Sequence, residues 1–202
     1  MEILSRLLEN GFAPGIEVQY TLDQSMMVVK VPDFDKAFDV ATGPTRSDEI
    51  IPGISFANSE TGLLAFCIEA YFYRLICTNG LIAKVASNKS RFKHISTRAM
   101  EQFPDALSHV IKGAQHRQVQ LIGSRNTHVE DPMAAIALFS KQFGLSQTET
   151  EVVRQAYYLE QGATMFHIIN AFTRAAQEAG LSPVEAYRYE KAGGRILGMV
   201  QA

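Results

Sequence analysis

The sequence predicts an α+β fold, with an antiparallel β-sheet built from hairpins in the first part and a helical bundle in the C-terminal part. Three observations predict it. Residues 16–22 alternate apolar and polar side chains, and 26–31 are a second β-rich run, the pattern of a hairpin. Beyond residue 95 that pattern gives way to apolar spacing of 3.6 residues. Serine caps and glycine stops punctuate the second part at the intervals of short helices. The division falls at residues 1–95, sheet-rich, and 96–202, helical, as one compact unit sharing a core, which 202 residues suffice to build.

Taken in order, Ile3, Leu4, Leu7 and Leu8 share a helical face over residues 2–10, and Asn10-Gly11 stops that helix. The first hairpin turns at Asp23-Gln24-Ser25. Residues 32–52 mix Asp, Gly, Pro, Thr and Ser and read as a connecting excursion with a short helical stretch at 35–40. A second hairpin runs from Gly53 to Tyr73 with its turn near residues 60–62. Asn79 and Gly80 both tolerate positive φ, so a sharp change of direction is expected there, after which strand alternation ends. Helices are expected at 96–113 with an extension to 122, then at 132–143, 148–160, 164–179 and 183–200. Ser146 and Ser182 stand at N-caps, Gly144, Gly162 and Gly180 at ends, and the glycines of Lys191-Ala-Gly-Gly-Arg195 suit a close helix crossing.

The formal charge of −2 hides a split: residues 1–80 carry five Lys/Arg against eleven Asp/Glu, a balance of −6, whereas 81–202 stand at +4. The basic excess is concentrated in residues 81–129, where eight cations face two acids, and such a segment suits a polyanion. No apolar run approaches the roughly 20 residues of a membrane span, and the first residues lack the basic start and apolar centre of a secretion signal. A cytoplasmic location is therefore expected, with no membrane partner. Cys67 and Cys77 form no Cys-x-x-Cys pair, so neither a disulfide framework nor a thiolate zinc site is indicated.

The most unusual segment is Tyr71-Phe-Tyr-Arg-Leu-Ile-Cys-Thr-Asn-Gly80, where aromatics interleave with an arginine. It reads as a strand-to-turn junction, and the functional alternative is that Tyr71, Tyr73 and Arg74 form an exposed sheet face on which bases or a phosphate rest. Lys84, Lys89, Arg91, Lys93, Arg98, Lys112, Arg117 and Arg125 are the candidate phosphate contacts. Residues 145–154 faintly resemble the first helix of a helix-turn-helix reader, but the next helix, from Thr164 to Phe172, is too apolar to read bases and suits a core. His109 and His116, seven apart, read as surface histidines rather than a metal pair, His128 belongs to a helix-entry loop, and His167 is expected in the core. Asp33, Asp35 and Asp39 lack the spacing of a calcium loop and read as turn and cap residues, with a metal-dependent nuclease as a minor alternative. No nucleophile elbow, zinc-protease, Walker or dinucleotide motif occurs, so no catalytic residue, metal or cofactor is assigned.

Residues 53–62 together with Tyr73-Arg-Leu-Ile-Cys-Thr-Asn-Gly80, and farther on residues 160–176 and 189–194, resemble a phage- and plasmid-associated family designated domain of unknown function 932. The resemblance spans about residues 53–200, with Arg74, Cys77, Asn79 and Gly80 at its most recognisable positions. It implies an association with mobile elements, and so with DNA, and it brings no catalytic residues. The resulting expectation is a phage- or plasmid-associated, non-enzymatic nucleic-acid-binding or DNA-processing accessory protein, with single- or double-stranded DNA as its partner. The alternative is a homo-oligomeric or protein-interaction module that joins through apolar helices and a sheet edge.

Overall fold

A computed structural model describes residues 2–9, 12, 17–40, 48–75, 78–85, 91–92 and 97–201. The fold is α+β, an antiparallel curled sheet followed by helices. Helix α1 spans Glu2–Glu9, and the strands are β1 Gln19–Leu22, β2 Met27–Pro32, β3 Phe38–Asp39, β4 Glu49–Asn58, β5 Phe66–Arg74, β6 Asn79–Ala83 and β7 Arg91–Phe92. The main sheet order is β1-β2-β4-β5-β6, while β3 pairs with the start of β4 and β7 with the start of β5. Helices α2 Thr97–Ser124, α3 Pro132–Gln142, α4 Gln147–Glu160, α5 Met165–Ala175 and α6 Pro183–Leu197 follow. Among the described residues no helix is long and apolar enough to cross a membrane.

The first hairpin turns where the sequence places it, because the Asp23 carboxylate accepts from the backbone N–H of Ser25 at 2.7 Å and of Met26 at 2.8 Å. Those two bonds hold the Asp23 carboxyl below its usual range. The stretch expected to be helical at 35–40 is instead a single 3₁₀ turn, Phe34–Lys36, followed by the short strand β3. Asn79 and Gly80 do not form the turn after β5. They open β6, in register with Arg74 and Tyr73, and Thr78 carries the positive φ of 51°. Strand structure thus continues past Gly80 without alternation, since all five residues of β6 are buried.

Register assigns the two sheet faces. Ile54, Phe56, Ile68, Ala70 and Phe72 lie on the face against α2, where they meet Phe103, Leu107 and Val110. Phe56, Phe66, Phe92 and Phe103 stack there with ring centroids about 6 Å apart. The opposite face carries Val28 and Lys30 of β2, Ser55 and Ala57 of β4, and Cys67, Glu69, Tyr71 and Tyr73 of β5. Helix α6 covers part of this second face and crosses β6. One hydrophobic core runs from Val31, Ile54 and Ile68 of the sheet to Phe166, Ile169, Phe172 and Ile196 of the helices.

Local signals set the helix ends. Ser146 with Glu149 and Ser182 with Glu185 form reciprocal capping boxes, and Asp131 caps α3 by accepting from Ala134 N–H at 2.9 Å. The apolar helix α5 is buried along most of its length, as a core helix and not a base reader. Gly193 and Gly194 sit where α6 meets β6 and α5, so the glycine pair of the sequence marks a helix crossing.

Candidate functional site

Two polar constellations meet the sheet, and they differ in what they leave open. The first is a buried junction at the end of β5. Arg74 Nε and Nη2 donate to the two carboxylate oxygens of Asp48 at 2.7 and 2.8 Å, and its Nη1 donates to Glu160 Oε2 at 2.7 Å. Arg125 from the end of α2 also bonds Asp48, and Arg174 donates to the second oxygen of Glu160 at 3.1 Å. The Arg74 and Arg125 guanidinium groups lie over the Phe166 ring, 5.2 and 3.6 Å from its centroid. Burial opposes the Arg74 charge, but Asp48 and Glu160 outweigh it and hold its pKa above the ordinary arginine value. This network ties β4, β5, α2, α4 and α5 together, with the Arg74, Arg125, Asp48 and Glu160 side chains buried.

His167 borders the junction and shares a 2.8 Å hydrogen bond with Thr164 Oγ1. Burial first, and then the positive charges of Arg125 and Arg74 against the opposing pull of Glu160 and Asp48, lower its pKa below the ordinary 6.5. The unfolded chain then binds the proton more tightly than the native one. His167 therefore contributes stability that is fully present above about pH 6.5 and lost as pH falls toward its native pKa. Melting followed by circular dichroism should show Tm falling between pH 7 and pH 5.5, with a shallower fall in His167→Gln. Equal slopes in the two proteins would refute this assignment.

The second constellation lies between the sheet and α6. On the sheet, Glu69, Tyr71 and Tyr73 alternate along one face of β5, with Lys30 of β2 on that same face. On the helix, Tyr187, Glu190 and Lys191 follow the i, i+3, i+4 spacing of a single face. The two elements exchange charges: Lys30 of the sheet bonds Glu190 of the helix, and Glu69 of the sheet bonds Lys191 of the helix. Each ammonium also lies 5.4 Å from a tyrosine centroid, Lys30 over Tyr71 and Lys191 over Tyr187. Tyr187 donates its hydroxyl to Glu69 at 2.8 Å, and Tyr71 donates to Gln19 at 3.3 Å. Burial raises the Glu190 carboxyl despite the neighbouring Lys30, and burial together with Glu190 raises the Tyr71 hydroxyl.

Above the Lys30–Glu190 pair opens a cleft of about 370 Å³, within the roughly 300–1,000 Å³ of small-molecule sites. Its sheet wall holds Gln19, Thr21, Tyr71 and Tyr73, and its helical wall Gln177, Pro183, Ala186 and Tyr187. Gly80 is required beneath it. A Cβ there would stand 2.6 Å from the Tyr71 ring and 2.9 Å from Glu190 Oε1.

These placements revise the exposed aromatic-basic face. Tyr71 is 1% exposed and Arg74 7%, since α6 and the ion-pair junction cover them, while Tyr73 is half-buried at the cleft. Arg125 is held by Asp48, and Arg117 donates to the Lys84 carbonyl at 2.7 Å and to Gln120 at 2.6 Å. Lys84 and Lys112 are exposed, with Gly113 packed on Val85 beside them. Lys89 and Lys93 lie outside the described residues, as does Cys77. Arg91 falls on β7 and Arg98 on α2, but their side chains are not among those described. Of the remaining family-signature positions, Arg74 anchors the junction, Asn79 donates its amide to Asn170 at 3.3 Å and also to Thr173, and Gly80 admits Tyr71. His116 is exposed and His109 half-buried with its Nε2 shielded from solvent. Asp33 pairs with Lys36 and Asp39 accepts from Asp48 N–H, and among the described residues no three His, Cys, Asp or Glu side chains gather for a metal.

Sequence reasoning missed Lys30, Glu69, Glu190 and Lys191, although for the first two a signal was present: a charge in the middle of each of two apolar strands. No family model, curated protein or solved structure matches the chain.

Proposed function

We propose that the protein is a binding module whose cleft between β1, β2, β5 and α6 receives a small polar ligand. One observation carries this reading: an aromatic- and amide-walled cavity stands open above an ion pair that satisfies its own charges. Burying charged groups is costly unless they are paired, and here the floor is completed by side chains 160 residues apart in sequence. A role beside nucleic acid falls within the reading, supported by the tyrosines of the cleft and by exposed Lys84 and Lys112. Arg74 and Arg125 play no part in it, since their guanidinium groups are committed to carboxylates.

The test is saturation-transfer NMR with a panel of benzamide, nicotinamide, adenosine and cytidine. Ala186→Phe fills the cleft from the helical wall, one turn before Glu190, and replaces neither member of the ion pair. At least one probe should receive saturation from the wild type and about tenfold less from the folded variant. Transfer to none of the probes, or equal transfer from both proteins, would remove the cleft as a binding site.

A further inference from the structure

Resting on that reading of the cleft, we infer that its ligand is a nucleobase, taken up through its flat, uncharged ring with donors and acceptors at its edge. The charge of the site decides first. Lys30 and Glu190 neutralise each other, with side chains 16% and 3% exposed, and the neighbouring Glu69 and Lys191 do the same. An anion seeking Lys30, or a cation seeking Glu190, must break that pair and strand the other partner in a buried site. A neutral ligand leaves the pair intact.

The walls decide next. Tyr73 is half-buried beside Tyr71, their rings 6.4 Å apart and inclined by 26°, so a flat ring entering the cleft finds an aromatic surface that is partly open. Around it stand Gln19 and Gln177, two carboxamide residues from opposite walls, and Thr21. A carboxamide offers a donor and an acceptor side by side, the pattern that matches the edge of a base. The Gln19 oxygen already accepts from Tyr71, which fixes that amide's orientation at the cleft wall. A sugar can set its C–H face on a tyrosine but brings no flat ring edge to pair with a carboxamide, and an aliphatic ligand uses neither group. A base uses both.

Isothermal titration with adenosine, cytidine, benzamide, choline, acetate and phenylalanine tests the inference. The nucleosides should bind most tightly, Tyr73→Ala should weaken them roughly 5- to 100-fold, and Gln19→Ala should alter the adenosine-to-cytidine ratio. The double variant Lys30→Met with Glu190→Gln removes both charges of the floor, and it should weaken the nucleosides no more than it weakens benzamide, whereas a ligand held by charge would lose its binding selectively. Tighter binding of choline, acetate or phenylalanine, lost in that double variant, would overturn the inference. Binding of benzamide alone, abolished by Ala186→Phe, would overturn the nucleobase assignment and leave the binding module standing, whereas silence from every compound would remove both. A single-stranded octanucleotide separates the two sources of a base. A gain over the nucleoside that falls with salt identifies an unpaired base in a strand, and no gain identifies a free nucleoside as ligand.

Discussion

Arg74→Ala is expected to lower the unfolding free energy by about 3–5 kcal/mol, the usual loss when one partner of a buried ion pair is removed. The truncation leaves the Asp48 and Glu160 carboxylates, each with only 3–4% of its side chain exposed, without the fork that bridges them. Arg125 still reaches Asp48 and Arg174 still reaches Glu160, so the carboxylates retain one cation each while the link between them is lost. Arg74→Lys is the informative companion. An ammonium supplies charge but cannot donate in parallel to both Asp48 oxygens and to Glu160, so it should recover less than half of the loss. Urea unfolding followed by circular dichroism measures both variants. Because domains of this kind have about 5–15 kcal/mol in total, Arg74→Ala should shift the midpoint by a large fraction of its value. A loss under about 1 kcal/mol would mean that the junction is bridged adequately without Arg74.

The residues of this junction explain why the fold was legible in the sequence and the site only in part. Strands β2 and β5 and the caps Ser146 and Ser182 are specified by neighbours a few residues away, so pattern and turn chemistry reach them. Arg74 with Asp48, and Lys30 with Glu190, are joined across 26 and 160 residues, and nothing local announces a partner at such a distance. The segment from Tyr71 to Gly80 was rightly singled out as unusual, but its aromatics and its arginine reflect burial against α6 and α4, not exposure to a polyanion. Counting cations likewise overstated the basic surface, because Arg125 is held in a buried ion pair with Asp48, although Arg117, bonded to neutral acceptors, keeps its charge. Strand β6 escaped detection for a related reason: covered on both sides, it has no polar residues in alternation to reveal its period.

Gly194→Ala should destabilise the protein by about 1–3 kcal/mol, although the same change at an ordinary helix position stabilises by roughly 0.5–1 kcal/mol. A Cβ on Gly194 would overlap the Ile82 carbonyl oxygen and stand 2.7 Å from its carbon and 2.9 Å from the Ala83 Cα. All three are backbone atoms of β6, so no side chain can rotate away and the helix itself must move. Gly123 in α2 supplies the control, since a Cβ there meets its nearest neighbour, the Gln201 carbonyl, at an ordinary 3.5 Å, and Gly123→Ala should be neutral or stabilising. The urea midpoint should therefore fall for Gly194→Ala and hold or rise for Gly123→Ala. The displacement also reaches the cleft, because Glu190 and Lys191 lie one turn before Gly194 and grip Lys30 and Glu69 across the sheet. Gly194→Ala should thus weaken nucleoside binding by at least about fivefold in protein that is still folded, while Gly123→Ala leaves it unchanged. Loss of stability with undiminished binding would show that the cleft does not depend on how closely α6 approaches β6.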